Sequence, residues 1–440
     1  MFGLENDRHA ISAVYSYDTS RVIIKNQYVC NICWIFLLVN MYLEIPLVLS
    51  TTTSIFAFPV ISLIPLLFYV CNLRVRRSEF LIISTLYAVT TLSVVVANRF
   101  NNTSFYILKI IQFFVSIITG IITYKITIKV DRKFKRKFLL ATIIVLVLGF
   151  MFETNNFLYI KDLSDLFREY VYSDSAYGVY NAENRDIAIA GFERPKFFTS
   201  EPSLAAIGYF IFSSGFLLVN KNYIYFWLVL LLDILCVVYT GSPVALLTFI
   251  AWIWVLNLKS YINWPVTLTI GSSVLIFLVI VLSPQFLIGG IVARLLEETI
   301  NPDTSLYSRL YVPYVEALPT AIRYNFLFGV GYAGKDLLTA ISNMVVFDND
   351  YQFILGSNAF VRFFIFFGLL GMGIILFAFF RFLKSEGIKN YSTILVLWFL
   401  FGQMMGAMET PRYWMYLFFL IALAKDFNPT LKVKPIFVVS

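Results

Sequence analysis

Stretches of about twenty apolar residues, the length an α-helix needs to cross a bilayer, recur from Tyr28 to Ala424. Twelve candidate spans fall at about 28–49, 55–72, 79–97, 104–124, 138–157, 201–219, 223–239, 244–258, 265–282, 359–380, 391–408 and 413–424. The eighth and twelfth are short enough to be tilted or partly re-entrant. Composition agrees: 59% of residues are hydrophobic and 14% charged, against roughly 45–50% and about 25% in soluble domains. The expectation is an all-α polytopic membrane protein of about 12 transmembrane helices, forming a single integral membrane domain over residues 1–440. Residues 1–27 are polar and mixed in charge. They do not read as a cleavable signal peptide, so the first span is expected to serve as the targeting signal.

The formal net charge is +8, which raises the question of nucleic acid. Its distribution points elsewhere. Arg74, Arg76 and Arg77, and the cluster Lys125, Lys129, Arg132, Lys133, Lys135, Arg136 and Lys137, all fall on one side of the alternating topology. Basic residues concentrate in short cytoplasmic connections, where they also meet anionic lipid headgroups. Both termini are therefore expected in the cytoplasm, and no nucleic acid partner is expected. Two connections are long, about 158–200 and about 283–358, and both fall on the outer face. Lys161 to Tyr172 has the pattern of an amphipathic helix lying on the membrane. Leu306, Leu310, Pro313, Tyr314, Ala317 and Leu318 recur at helical spacing, so the second loop is expected to be structured and to lie over the bundle.

Cys30 and Cys33 form a C-x-x-C inside an apolar span without a second pair, and read as small packing residues. The single histidine is His9, which leaves no histidine-based zinc site. Asp348 and Asp350 form a D-x-D, a pattern common by chance, and no metal site is expected.

Several constellations suit chemistry at the outer face. Phe198-Thr199-Ser200-Glu201-Pro202-Ser203 opens the sixth span. Ser200 suits a helix cap, Glu201 the first turn and Pro202 the first helical position. The stretch reads equally as a well-made helix start and as a carboxylate placed to act as general base or to bind an acceptor hydroxyl. Ser242 and Pro243 open the eighth span, leaving backbone N–H groups outward as an anion site or making an ordinary hairpin. Arg309 and Arg323 flank the amphipathic segment. Arginine grips phosphate oxygens in a two-pronged way that lysine does not, although a solvated charged face is the alternative. Gly329-Val330-Gly331 is a turn that permits close backbone approach, with no preceding strand to make it a dinucleotide fingerprint. Arg362 lies about one turn inside the tenth span, where arginine either pairs, binds something or snorkels to the interface. Glu44 and the turn Glu409-Thr410-Pro411-Arg412 are its candidate partners, or else structural salt bridges.

Three of these stretches resemble the O-antigen polymerase and ligase superfamily, the Wzy-type and ligase-type membrane glycosyltransferases. Ser200-Glu201-Pro202-Ser203 before a span is similar to the S-E-P-S of many polymerases. Ser308-Arg309 running to Asn325-Phe326-Leu327-Phe328-Gly329-Val330-Gly331 resembles the family's arginine, aromatic-rich helix and N-P-L-F-G-V-G. Ser357-Asn358 followed by Gly368-Leu369-Leu370-Gly371 resembles its H-N and G-L-L-G. Together the stretches cover roughly residues 198–375. Ser357 stands where ligases carry histidine, which favours polymerase over ligase. Ser242-Pro243 stands where the family often has serine-arginine.

The resemblance implies an architecture of the GT-C glycosyltransferase type in a bacterial inner membrane, with the active face periplasmic. It implies glycosyl transfer from a polyprenyl (undecaprenyl) diphosphate-linked chain to an acceptor repeat unit on the same carrier, in lipopolysaccharide or related polysaccharide biosynthesis. Glu201 and Arg309 are the implied catalytic pair. Arg309, Arg323, Arg362 and Ser242 are implied at the diphosphate, and Asn358, Arg194, Glu316 and Asp336 at the acceptor sugar, with Glu316 and Asp336 as reserve bases. A chain-length regulator is an implied partner, alongside membrane lipid. Diphosphate is a good leaving group, so no metal, nucleotide or other cofactor is expected. An O-antigen ligase and a lipid-linked oligosaccharide flippase are the alternatives.

Overall fold

Most of the apolar runs among the described residues fold as helices. The structure, a computed structural model, describes residues 27–50, 53–56, 75–96, 103–172, 187, 193–220, 223–241, 313–315, 317–332, 358–388, 394, 398, 401, 402, 408 and 410–426. Helix α1 is Gln27–Leu43. A two-stranded antiparallel hairpin follows, β1 Pro46–Ser50 and β2 Thr53–Phe56. Then come α2 Arg77–Val96, α3 Thr103–Lys129, α4 Arg132–Thr154 and α5 Ile160–Tyr172. After these lie α6 Pro202–Val219, α7 Tyr223–Thr240, α8 Leu318–Asn325, α9 Ala359–Ser385 and α10 Pro411–Asp426.

Five stretches are long and apolar enough to cross a membrane: Arg77–Val96, Lys109–Lys129, Arg132–Thr154, Pro202–Val219 and Ala359–Ser385. Gln27–Leu43 and Tyr225–Thr240 are shorter apolar helices. The chain is therefore a helical membrane protein. The expected spans at 244–258 and 265–282 lie outside the described residues, as does most of those at 55–72 and 391–408.

Three expectations need correction here. The first span was expected to run to residue 49, yet α1 stops at Leu43 and the chain turns through Glu44 at φ 50° into β1. Pro46 explains this, because proline lacks the N–H a helix needs and disfavours helical backbone in the residue before it. The all-α expectation is amended by this hairpin. The fifth span begins at Arg132 rather than near 138, because the Asp131 side chain accepts from the N–H groups of Lys133 and Phe134 and caps the helix there.

Helix ends sort into two groups. At one end, Gln27 Nε2 donates to the Lys129 carbonyl at 3.1 Å and Arg132 Nη2 to the Val219 carbonyl at 2.8 Å. The buried pair Lys125–Glu79 closes at 2.7 Å. Glu386, capping the C-terminus of α9, gathers Arg76 at 3.0 Å together with Lys425 and the Tyr124 hydroxyl. At the other end lie Glu44, Glu201 and Arg412. Helix α10 runs between the two groups and is buried along most of its length. Gly120 of α3 lets it approach: a Cβ there would stand 2.9 Å from the Trp414 carbonyl oxygen. Mid-bundle, Ser213 Oγ of α6 donates to the buried Asp233 carboxylate of α7 at 2.9 Å, a polar tie between two helices.

The largest departure from a simple bundle is in α9. At Gly368 the backbone takes φ 61°, ψ −170°, and the helix breaks. The break deprives the Leu369 and Leu370 N–H groups, and the Ile365 and Phe366 carbonyls, of their helical partners. The segment after α8 supplies replacements. Leu369 and Leu370 donate to the Phe326 and Leu327 carbonyls at 3.0 and 3.1 Å, while Val330 and Gly331 donate to Ile365 and Phe366 at 2.8 and 3.1 Å. Tyr332, fully buried, lies with its ring parallel to that of Phe367 and donates its hydroxyl to the Lys109 carbonyl. Ile365 is about 10 Å along the axis from the cap of α9. Residues 329–332 therefore do not lie over the bundle, as was expected of the long connection, but are buried between α2, α3 and α9, while Phe326, Leu327 and Phe328 stay exposed along α9. The two glycine motifs meet here, since a Cβ on Gly329 would stand 2.5 Å from the Ile365 carbonyl oxygen and one on Gly368 2.4 Å from that of Leu327.

Gly368→Ala should destabilise the purified protein by about 2 kcal/mol or more, because it adds a steric clash to a backbone region open essentially to glycine alone. Gly373→Ala, where nothing lies within 4 Å of the added methyl, should be neutral or stabilising by up to about 1 kcal/mol. Thermal unfolding of the two variants in detergent checks the contrast.

A second expectation concerns acid. Burial pushes the Glu386 carboxyl up, but hydrogen bonds from Lys425 and Tyr124 and the charges of Lys425 and Arg76 outweigh it and hold it below the usual carboxylate range. A carboxylate depressed in the folded state stabilises above its unfolded pKa of about 4.3 and loses that contribution as pH falls through the folded value. Stability should therefore drop below about pH 4.5, and Glu386→Gln should flatten that drop while lowering stability at neutral pH. Melting temperatures from pH 3.5 to 7 test both parts.

Candidate functional site

The site is built where α4 ends. Glu153, buried near the C-terminus of α4, accepts from the Lys196 N–H at 3.0 Å, the Phe197 N–H at 2.6 Å and Ser164 Oγ at 3.2 Å. One carboxylate thus fixes residues 193–200 as a strap across the helix ends. The strap's carbonyls are taken as well. Tyr42 of α1 donates its hydroxyl to Phe197, and Tyr172 of α5 donates to both Leu43 and Phe198. Burial pushes the Tyr172 phenol up, so it remains a donor. Phe197 and Phe198 sit at φ 38° and 66°, a left-handed backbone that costs non-glycine residues of order 1–3 kcal/mol each. The Phe197 ring lies against Gly149, where a Cβ would stand 2.3 Å away.

Charge holds the rest of the strap. Glu193 pairs with Lys161 at 2.5 Å and Lys196 at 2.9 Å. Burial pushes its carboxyl up, but those two lysines outweigh burial and leave it below the usual carboxylate range. Arg168, fully buried on α5, pairs with Asp165 at 2.7 Å.

The strap delivers Glu201 to the head of α6. Glu201 is itself the cap residue, in extended conformation at φ −151°, ψ 156°, and Pro202 follows at the first helical positions. The cap had been expected at Ser200. Proline at N1 moves it one residue on, since the residue before proline is held extended. The Glu201 side chain does not cap the helix. Instead Ser203 Oγ donates to its Oε1 at 2.6 Å. The carboxylate is half-buried and lies within electrostatic reach of Arg412. Arg412 is buried, 3.0 Å from Glu44 Oε2 through Nε and 3.1 Å from the Tyr42 carbonyl through Nη2. Glu44, considered as a partner for Arg362, pairs with Arg412.

The other anticipated residues fall as follows. Arg194 is buried within the strap, close in sequence to Glu201. Asn358 caps α9, its Oδ1 accepting from the Val361 N–H at 3.0 Å. Arg362 is buried one turn further in, its guanidinium 5.2 Å from the Phe366 ring centre, so it turns into the protein rather than snorkelling outward. It lies at the same end of the bundle as Glu201: Phe363 packs on Tyr413 and Trp414 of α10, directly after Arg412. Arg323 is exposed on α8. Arg309, Ser242, Glu316 and Asp336 lie outside the described residues. Among the described residues no group of three or more His, Cys, Asp or Glu side chains could hold a metal ion.

Sequence reasoning missed Glu153 and Tyr172. Glu153 carried one usable signal, a carboxylate inside an otherwise apolar span. Chemically, the arrangement is a half-buried carboxylate on a rigid support beside a buried guanidinium. Such a carboxylate suits proton abstraction from a hydroxyl. No family model, characterised protein or solved structure matches the chain.

Glu153→Gln should free the strap, because the amide replaces one acceptor oxygen with a donor facing a backbone N–H. A lost hydrogen bond to a charged group costs about 1.5–3 kcal/mol. Lys196, 1% exposed in the native protein, should then become a trypsin site. Mass spectrometry of limited digests should find cleavage after Lys196 in the variant and protection in the parent.

Proposed function

We propose that the chain is a membrane glycosyltransferase that polymerises lipid-linked repeat units of O-antigen or a related surface polysaccharide, with Glu201 as general base. The observation that carries this reading is Glu201 itself: its backbone caps α6 while its side chain is left out of the cap, and it follows a strap whose backbone is left-handed at Phe197 and Phe198 and hydrogen-bonded at residues 196–198. Strain held at one point by the surrounding structure is characteristic of functional sites. The meeting of Gly329 and Gly368 adds support, because it joins two of the three family-like stretches in one contact.

In this reading the Glu201 face is periplasmic, the Glu386 end and both termini are cytoplasmic, and the membrane is the bacterial inner membrane. The concentration of lysine and arginine near the Glu386 end supports that orientation. The substrates are two polyprenyl diphosphate-linked oligosaccharides. The acceptor hydroxyl attacks the anomeric carbon of the donor chain. A new glycosidic C–O bond forms as the bond from that carbon to the diphosphate oxygen breaks. The proton passes to Glu201, and the electron pair leaves with the polyprenyl diphosphate. Arg309 acts on the leaving diphosphate with Arg323, Arg362 and Ser242, since fixed positive charge where negative charge develops is worth several kcal/mol. Asn358, Arg194, Glu316 and Asp336 complete the acceptor side, and a chain-length regulator is a partner.

Cells lacking the protein should carry surface lipid with a single repeat unit. Absence of any repeat on the lipid would point instead to a ligase or a flippase. Glu201→Gln, complementing the deletion at normal abundance, should lower polymer yield about 10²-fold or more, and Arg309→Ala should abolish polymer. Chains of ordinary length and amount from Glu201→Gln, read on a polysaccharide gel, would remove it as the base.

A further inference from the structure

Beside Glu201 the bundle buries polar atoms that its own side chains leave unmatched. Arg412 is 2% exposed. Its Nε faces Glu44 and its Nη2 the Tyr42 carbonyl, yet Nη1 has no hydrogen-bond partner among the described residues. One helical turn along α10, Tyr416 is also 2% exposed, and its hydroxyl likewise has no partner among the described residues. The two belong to one cluster: Tyr416 lies within electrostatic reach of both Arg412 and Glu44, and Arg412 within reach of Glu201. A buried donor without an acceptor costs about 1–3 kcal/mol, so each such group calls for an explanation, among them a catalytic role, an ion or an ordered water.

The charges decide which ligand class fits. The Arg412 guanidinium is already met by the Glu44 carboxylate and lies near a second carboxylate, Glu201. A phosphate or diphosphate placed against Nη1 would meet two carboxylates at close quarters and a cation whose charge is largely answered. A neutral polyol does not have this difficulty. Each sugar hydroxyl both donates and accepts, so one ring can accept from Arg412 Nη1 and Tyr416 Oη while donating to the carboxylates beside them.

We propose that Arg412 and Tyr416, with Glu44, form a carbohydrate subsite that holds the acceptor sugar against Glu201. This rests on the polymerase reading and deepens it, dividing the substrate so that the sugar is bound at the head of α10 and the diphosphate elsewhere. Arg412 in this role contacts a hydroxyl of the acceptor sugar, and Glu44 is a positioning residue that holds the guanidinium.

The test uses the purified full-length protein and the free oligosaccharide repeat, released by mild acid from the lipid-linked unit that accumulates in cells lacking the protein. Binding is followed by intrinsic tryptophan and tyrosine fluorescence, with inorganic pyrophosphate as a parallel probe. Arg412→Lys should weaken oligosaccharide binding at least about tenfold, the worth of one hydrogen bond to a charged donor. Tyr416→Phe, which keeps the packing and removes only an unmatched hydroxyl, should weaken it about fivefold. Both variants should leave pyrophosphate affinity unchanged. The proposal is overturned if Tyr416→Phe binds the oligosaccharide like the parent, if either variant instead loses pyrophosphate, or if the parent shows no oligosaccharide binding at millimolar concentration. Elongation of lipid-linked repeats by the parent protein, measured separately, reports on the polymerase reading alone, so that sugar binding without elongation rejects that reading and leaves the subsite standing.

Discussion

Backbone that leaves a helix among membrane spans has no water to satisfy it, so each freed N–H and carbonyl must find a partner inside the protein. This constraint organises two irregular regions among the described residues. At Gly368 the break in α9 frees two amides and two carbonyls, and residues 326–331 meet all of them. At residues 196–198 the Glu153 carboxylate takes two amides, and the hydroxyls of Tyr42 and Tyr172 take the carbonyls. The first solution uses main chain against main chain and therefore needs glycine on both sides. The second uses side chains and tolerates phenylalanine, at the cost of left-handed backbone at Phe197 and Phe198. A side-chain solution leaves Glu201 on a support whose position depends on α1, α4 and α5 together.

The two ends of the bundle use charge differently. Around Glu386, four donors, from Arg76, Ser78, Tyr124 and Lys425, converge on one carboxylate and the result is a tie between α2, α3, α9 and α10. Around Arg412 the balance is reversed: carboxylates outnumber the guanidinium, and donors remain unmatched among the described residues. A fully satisfied buried network rigidifies, whereas a partly satisfied one is costly unless something completes it. The contrast lies within one helix, since α10 carries Lys425 at one end and Arg412 at the other.

What could be read from the sequence follows from which forces are local. Spans such as 79–97 and 201–219 were legible because lipid demands a long apolar run, and α2 and α6 lie within a few residues of them. Glu201 was legible because proline and serine beside it mark a helix start. The end of α1 at Leu43 was missed because hydropathy continues smoothly past Pro46, and only the missing N–H stops the helix. Residues 329–332 were expected above the bundle as part of the connection at about 283–358, whose apolar residues from Leu306 to Leu318 recur at helical spacing. Their depth is set by Gly368, some forty residues further on, and no local period reports that contact. The strap at Lys196 has the same origin, since Glu153, more than forty residues earlier, holds its backbone.

Arg412 shows how a pairing can be anticipated and still be assigned wrongly. Sequence placed an arginine in a span, Arg362, and looked for acids to neutralise it, with Glu44 as one candidate. The fold instead sets Glu44 at the head of α10, where Arg412 is nearer, and leaves Arg362 to pack over Phe366. The reason is steric as well as electrostatic. Helix α10 is held between α3 and α6 by close approach at Gly120 and at Gly208, where Tyr416 and Tyr42 pack. That approach draws the ends of α1 and α10 together and puts Arg412 on the carbonyl of Tyr42 as well as the carboxylate of Glu44. Small residues on α3 and α6 thus determine which arginine meets which acid, and through that pairing they determine what charge stands beside Glu201.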